Sequence, residues 1–298
     1  MKLTVDPAAD RQRLDRFLAA QFPSVSRSFL QSLCKHDKVL VNGTSEKSGY
    51  KLRWGDHITV LHNMDQLGEP EAIDIPIIYE DSDVIVVNKP AGVLSHALSK
   101  FKNEPSVASF LRQHAQLSSS KNDVRYGIVH RLDRLTSGVM VCAKSDQASK
   151  QLQRQFADRT VHKTYLALVS NRPKHDTAVI DVPLERNPKA PATFRVGSRG
   201  KPAQTAYKLM GSSNEVDGAH VLEVHPKTGR THQIRVHLKH VGCPIIGDTL
   251  YGGAPADRLY LHAYALALRL PSDSAKERQF TADPPTEFRA DMSGVNDE

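Results

Sequence analysis

The sequence predicts an α+β protein: a small αα-β unit over residues 1–62, a linker at 63–74, and a region over 75–298 with a mixed, mainly antiparallel sheet and flanking helices. Three observations predict it. Two apolar stripes at three- and four-residue spacing precede the first strand-like run. Strand-like and helix-like segments then mix without the regular βαβ alternation of a parallel α/β fold. Finally, 298 residues, 39% hydrophobic and 24% charged, suffice for one large core beside a small one.

In chain order, Leu14, Phe17, Leu18 and Phe22 form the stripe of a helix that stops before Pro23. Ser26 is placed to cap a second helix, with Phe29, Leu30, Leu33 and Cys34 on its apolar face. Val39-Leu40-Val41 reads as a strand entering a tight Asn42-Gly43 turn, and Ile58-Thr59-Val60 as another strand. After the linker come a strand at 84–87, a loop at 88–92, and a helix striped by Val107, Phe110, Leu111 and His114. Ser118-Ser119-Ser120 reads as a loop. A strand at 139–143 precedes a helix that Asp146 caps and that carries Ala148, Leu152 and Phe156. Strand-like runs lie at 164–169, 204–209 and 220–224. Thr231 opens a last helix with Ile234, Leu238 and Val241 inward, ended by Gly242 and Pro244, which puts Arg235 off the buried stripe.

Forty Lys and Arg against 33 Asp and Glu give a net charge of +7, which favours an acidic partner, nucleic acid ahead of anionic membrane. Residues 1–62 hold ten cations against six acids. Arg13, Arg16, Arg27, Lys35 and Lys38 lie on or beside the two helices, where they either grip backbone phosphates or form a solvated face. Arg186, Lys189, Arg195, Arg199 and Lys201 stand against the single acid Glu185, a density suited to a flexible rim closing on a nucleic acid. Aromatics at 6% do not indicate a wide base-stacking platform. Cys34, Cys142 and Cys243 include no C-x-x-C pair, which argues for buried thiols in a reducing compartment over disulfides or a thiolate zinc site. With no apolar run near ~20 residues and early charge at the N-terminus, a cytoplasmic protein is expected.

Residues 127–138 are the most informative stretch, placing Asp133 among turn-formers and two arginines just before a buried strand. A lone Asp there also reads as a turn cap. A kinase catalytic loop does not fit, since Leu132 interrupts His-Arg-Asp, Gly138 stands where an Asn would bind magnesium, and neither D-F-G nor G-x-G-x-x-G occurs. Neither a Walker P-loop nor a G-x-S-x-G elbow is present. His225, His232, His237 and His240 raise a metal reading, but 232 and 237 are five apart, off one helical face, and no H-E-x-x-H occurs, so no metal is expected.

His130-Arg131-Leu132-Asp133 with Thr136-Ser137-Gly138 resembles the signature of the RluA family of RNA pseudouridine synthases. Asn88-Lys89-Pro90-Ala91-Gly92, Lys163-Thr164-Tyr165-Leu166-Ala167, Gly200-Lys201-Pro202-Ala203 and 229–237 resemble its other blocks in the family's order, and residues 11–60 resemble an S4 RNA-binding domain. Departures are Arg134 for a common Lys, Ala97 after His96 for a common Pro, and a loose match over 280–285.

The resemblance implies a small S4-like αα-β domain followed by a pseudouridine synthase catalytic domain. The implied reaction isomerises uridine in structured RNA: N1–C1′ breaks, the base turns and C5 bonds to C1′, with no cofactor, nucleotide or metal. The expected partner is RNA, 23S ribosomal RNA first, with transfer RNA or a non-catalytic ribosome-assembly role as alternatives; no membrane is involved and a monomer is expected. Asp133 is implied as the reacting carboxylate, by nucleophilic attack or by removal of a sugar proton. A carboxylate covered by RNA loses solvation, so a guanidinium must favour its anion; the family pattern assigns Arg235. Tyr165 is implied to stack on the target base and assist proton loss from C5. Arg131 is implied to move toward the space the extruded base leaves, with a grip on phosphate as the alternative, and Lys89 and Arg230 complete the expected RNA contacts.

Overall fold

A computed structural model describes residues 1–23, 25, 27–61, 72–97, 104–115 and 126–291, so Ser26, Ser118-Ser119-Ser120 and most of the linker lie outside the described residues. The described residues fall into two compact units, one containing 1–61, the other 72–96, 105–115 and 126–291.

In the first unit, helices α1 (Leu14–Gln21) and α2 (Arg27–Lys35) lie over a four-stranded antiparallel sheet. Its strands are β1 (Lys2–Thr4), β2 (Val39–Val41), β3 (Thr44–Ser45) and β4 (His57–Val60), in the order β1-β4-β2-β3. Both predicted helical stripes are the buried ones: Leu14, Phe17 and Leu18 from α1, and Phe29, Leu30, Leu33 and Cys34 from α2, against Val39, Val41 and Ile58. Asn42 and Gly43 both take positive φ, 50° and 82°, as a two-residue hairpin turn requires. β1 was not predicted; its three residues alternate too briefly to register as a period.

The second unit is built on one large sheet. In chain order its elements are β5 (Ile77–Glu80), β6 (Val84–Lys89), α3 (Val107–Ala115), β7 (Ser137–Ala143), α4 (Asp146–Asp158), β8 (His162–Val169), β9 (Thr177–Asp181), β10 (Leu184–Arg186) and β11 (Phe194–Val196). They continue with β12 (Gln204–Ser213), β13 (His220–Pro226), α5 (Gln233–His240), β14 (Leu261–Leu270), β15 (Asp273–Thr281) and β16 (Ala290–Asp291). The order is β16-β12-β13-β8-β14-β7-β6-β5, with β9 added to β12 and β15 to β14, and β10–β11 form a separate ribbon. Every pairing is antiparallel except β7 with β14. All seven residues of β7 are buried, and one core gathers Val84–Val87, Val139–Ala143, Leu111 and Leu152. A second core gathers Ala167–Val169, Leu209, Leu222, Leu238 and Ile245. Tyr165 packs against both, so the middle of β8 marks their junction.

Several local expectations are corrected. β6 runs through Lys89, because Asn88 and Lys89 still pair with Val139 and Gly138; the loop begins after them. Ser145, not Asp146, caps α4, its Oγ accepting the Ala148 N–H at 3.1 Å. α5 starts at Gln233, two residues later than expected, since His232 adopts left-handed backbone, φ 56°. Residues 185–201, expected as a flexible rim, hold the β10–β11 ribbon, with Leu184 opposite Val196. β14 and β15 were missed: Ala-rich Leu261–Leu270 lacks a clear period, and β15 exposes nearly all its residues.

Candidate active site

Asp133 stands in the loop entering β7, and both its neighbours are clamped. Buried Leu132 donates its N–H to Ser95 Oγ at 3.0 Å and accepts the same hydroxyl at its carbonyl at 2.8 Å. The Arg134 carbonyl accepts from the Gly92 N–H at 2.8 Å and from Lys89 Nζ at 3.2 Å. Lys89 was expected to contact RNA, and this is corrected: it is fully buried, and its ammonium is spent on the carbonyls of Pro90 and Val93, both at 2.8 Å, and Arg134. Burial pushes this amine down to about 7, opposed by the charge of Asp133.

The remaining signature residues also have physical roles. His130 stacks on Phe156, centroids 4.5 Å apart, and its Nε2 accepts the Val141 N–H at 3.1 Å. Burial, then the charge of Lys163, pushes its imidazole down to about 3, so it is neutral. Ser137 Oγ accepts from Arg258 Nη2 at 2.7 Å and donates to His262 Nδ1 at 2.8 Å, while His262 Nε2 donates to the Ala282 carbonyl at 3.0 Å. Gly138 has φ 115°, and a Cβ there would collide with the backbone of Ala263, where β7 meets β14.

Tyr165 lies opposite Val224 of β13 and Ala263 of β14. Burial, with the charge of Asp133 added, raises its phenol well above the ordinary value, so the hydroxyl keeps its proton. Lys163, two residues earlier and on the same face, donates to the Thr228 carbonyl at 3.3 Å. Burial and the nearby Arg159 charge push it down to about 8.

Arg235 was expected off the buried face of α5, and this too is corrected. Gln233 through Leu238 are all buried, so the helix has no solvent side along that run. Arg235 is tolerated there because Asp248 accepts from its Nε and Nη2, both at 2.7 Å, in a bidentate pair. The Tyr251 ring lies 4.9 Å from the guanidinium carbon. Nη1 is left toward Asp133, 3.7 Å from Oδ2, and His232 Nε2 lies 3.9 Å from the same oxygen. Gln233 braces the preceding loop: its Oε1 accepts from Thr228 Oγ1 at 2.6 Å and the Arg230 N–H at 3.0 Å. Its Nε2 donates to the Gln204 carbonyl and Thr205 Oγ1, both at 2.9 Å.

Asp133, Tyr165 and Arg235 thus line one cavity of about 450 Å³, together with Arg131, Lys163 and His232. That volume falls in the range of small-ligand sites. Of the expected RNA contacts, exposed Arg131 and half-buried Arg230 line the same cavity, Arg230 Nε donating to the Pro202 carbonyl at 3.1 Å. On the ribbon, Arg186 lies over the Phe194 ring at 5.2 Å, Arg195 pairs with Glu185 at 2.7 Å, and Lys189, Arg199 and Lys201 are exposed. In the first unit Arg13 and Arg27 turn to buried Asp15, whereas Arg16, Lys35 and Lys38 are exposed. Among the described residues no group of three or more His, Cys, Asp or Glu could hold a metal ion.

Sequence reasoning missed Asp248, Tyr251, Gln233 and Lys163, and weighed His232 only as a metal ligand. The signal available was Gly247-Asp248 with Tyr251-Gly252-Gly253, an acid and an aromatic in a glycine-bounded loop.

Residues 83–240 match a family model described as RNA pseudouridylate synthase, and residues 12–58 match the S4 domain model. An RNA pseudouridine synthase of Aquifex aeolicus is 41% identical over 82% of this chain and 78% of its own. Ribosomal large subunit pseudouridine synthase D of Nitrosomonas europaea is 36% identical over 91% of this chain and 81% of its own. Ribosomal large subunit pseudouridine synthase C of Vibrio parahaemolyticus is 32% identical over 90% and 88%. Among solved structures, human RNA pseudouridylate synthase domain containing 1 superposes with a TM-score of 0.59 at 27% identity, covering 73% of this chain and 87% of that one.

Proposed function

The chain belongs to the RNA pseudouridine synthases, enzymes that isomerise uridine to pseudouridine within RNA, and from that premise we propose large-subunit ribosomal RNA as its substrate and Asp133, Tyr165 and Arg235 as its reacting groups. Support for the RNA class comes from relatives named for the large ribosomal subunit. We assign residues 1–62 to RNA docking and 75–298 to catalysis, in the cytoplasm where ribosomes assemble.

One observation carries the catalytic assignment: Asp133, its backbone clamped on both sides, opens on the same cavity as Tyr165 with Arg235 Nη1 3.7 Å from Oδ2. Clamping keeps the carboxylate from turning away, and Arg235, already neutralised by Asp248, orients it without fully cancelling its charge. A uridine extruded into the cavity meets this acid at its sugar and the phenol at its base. The N1–C1′ bond breaks, C5 bonds to C1′, the C5 hydrogen departs as a proton and N1 takes one up. A protonated phenol can hydrogen-bond to the turning base. Arg131 and Arg230 at the rim suit the flanking phosphates.

Release of tritium from RNA labelled at uridine C5 tests this. Wild type is expected to release tritium from large-subunit ribosomal RNA, and Asp133→Asn to release it roughly 1000-fold more slowly or not at all, with RNA binding retained. Equal release would remove Asp133 from the chemistry, and release from transfer RNA alone would overturn the substrate. Pseudouridine mapping in a strain lacking the protein should then show specific large-subunit positions reverting to uridine.

A further inference from the structure

We propose that His232 is a positioning residue for Asp133: a neutral imidazole, fixed in one tautomer by Tyr251, that shares one carboxylate oxygen with Arg235 and leaves the other to the nucleoside. This rests on Asp133 as the reacting acid.

The tautomer follows from proton counting. Tyr251 is 3% exposed, and its Oη accepts the Phe194 backbone N–H at 2.9 Å. A buried phenol hydrogen needs an acceptor, and His232 Nδ1 lies 2.7 Å away. The hydroxyl therefore donates to Nδ1, which is bare, and the imidazole proton sits on Nε2, the nitrogen 3.9 Å from Asp133 Oδ2. Rings hold the plane: Tyr251 and Phe194 both meet His232 edge-on, with centroids 5.5 and 5.9 Å away. The His232 backbone is left-handed, φ 56°, a conformation uncommon outside glycine.

The charge facing His232 is mixed. Burial lowers its basicity, Asp133 and Asp248 raise it, and Arg235 and Arg131 lower it; the net direction is down, so the ring is neutral near pH 7. A neutral donor orients a carboxylate while depressing its basicity and nucleophilicity less than a second unpaired cation would. Arg235 has one nitrogen for Asp133, since Asp248 holds Nε and Nη2. Both Nη1 and Nε2 face Oδ2, so Oδ1 is the oxygen presented to substrate. A separation of 3.9 Å exceeds a hydrogen bond, and catalytic bonds of this kind tighten when substrate fills the site. Because the chain of contacts begins at Phe194 in β11, docking of the basic ribbon sets the tautomer that Asp133 meets.

The full-length protein with ¹⁵N-labelled histidine reads this directly, the His232 signals being assigned by their loss in His232→Gln. Wild type should show the Nε2–H tautomer and Tyr251→Phe a mixture; an Nδ1–H tautomer in wild type would overturn the proposal without any activity measurement. Single-turnover tritium release at saturating RNA should slow roughly 100-fold in His232→Ala, with RNA affinity within about twofold, and recover about tenfold in His232→Gln, which keeps an N–H donor. In Tyr251→Phe the acid limb of the pH–rate profile should move to higher pH, because the freed Nδ1 can take a proton. A His232→Ala rate within about twofold of wild type, with Asp133→Asn still inactive, refutes the positioning role and leaves the role of Asp133 standing.

Discussion

Asp15 and Asp133 are both aspartates flanked by arginines in sequence, and the molecule treats them in opposite ways. Asp15 has no exposed surface and, among the described residues, accepts five hydrogen bonds: from Arg13 Nε and Nη2 at 3.0 and 3.1 Å, Arg27 Nε and Nη2 at 3.2 and 2.9 Å, and Gln31 Nε2 at 2.6 Å. The Asp133 side chain is 19% exposed, and among the described residues its carboxylate accepts no hydrogen bond; the nitrogens nearest it, Arg235 Nη1 and His232 Nε2, stop at 3.7 and 3.9 Å. A buried carboxylate held by this many donors has little capacity left for chemistry and serves the fold. An undersatisfied one, held in place by its backbone, retains capacity for a substrate. Counting neighbouring arginines does not separate these roles; counting donors within bonding distance does.

The strongest way to break this contrast is to remove the acid that keeps Arg235 from saturating Asp133. Asp248→Ala leaves a guanidinium 6% exposed without its bidentate partner. It should cost about 3–5 kcal/mol of stability, measured by chemical denaturation of the second unit, and draw Arg235 fully onto Asp133. Activity should then fall beyond what lost stability explains, since Asp133 acquires the bidentate pairing that marks Asp15. If tritium release per folded molecule is unchanged, undersatisfaction is not what distinguishes Asp133.

Lys89 is a saturated cation under the loop of the undersatisfied acid. Lys89→Met removes the ammonium from the Pro90 and Val93 carbonyls and leaves that of Arg134 with the Gly92 N–H alone, and it should destabilise the second unit by about 2–3 kcal/mol. Its pH dependence has a definite sign. With the folded amine near 7 and an unfolded lysine near 10.4, the unfolded state binds the extra proton between those values, so stability rises with pH across that window, by up to about 1.4 kcal/mol per unit. Denaturation at pH 6 and 9 should show that gain in wild type and lose it in Lys89→Met.

Asp15→Asn should cost less, about 1–2 kcal/mol, because the side chains of Arg13 and Arg27 are 38% and 43% exposed and can turn to water. Burial works against the Asp15 anion, but hydrogen bonds from Arg13, Gln31 and Arg27 hold its carboxyl well below the usual range. Its contribution is therefore complete above about pH 4 and lost as pH falls further. Hydrogen exchange of α1 and α2 amides should show the gap between wild type and Asp15→Asn narrowing from pH 5 to pH 3.

The same contrast explains what could be read from sequence. Helices α1 and α2 were legible because each has one buried face and one wet face, so burial writes a period into the residues. Helix α5 was legible as a helix, but its burial was not: Gln233 to Leu238 are buried all round, so no wet face marks the sequence, and that hid Arg235. Asp133 and Tyr165 sit inside ordered motifs, and the structure opens both on one cavity. Asp248 and Tyr251 act through partners 13 and 19 residues away, a pairing made by folding and absent from local pattern. Lys89 was misread because lysine is almost never fully buried, and only the three inward carbonyls make it an exception.

The smallest expected effect separates cations within one unit. Arg16, Lys35 and Lys38 are exposed, and among the described residues none lies within ion-pair distance of a carboxylate, whereas Arg13 and Arg27 are committed to Asp15. A cation that meets a phosphate releases a counterion, so removing it should reduce the slope of log affinity against log salt by about 1. One already neutralised in the free protein releases little that is new. Charge removal at Lys35 or Lys38 should therefore flatten the salt dependence of binding to unlabelled RNA by about one counterion each. Arg27→Gln should leave the slope nearly unchanged while lowering the stability of the first unit. Equal slopes for all three variants would mean that RNA competes Arg27 away from Asp15, and a donor count in the free protein would then no longer sort binding arginines from structural ones.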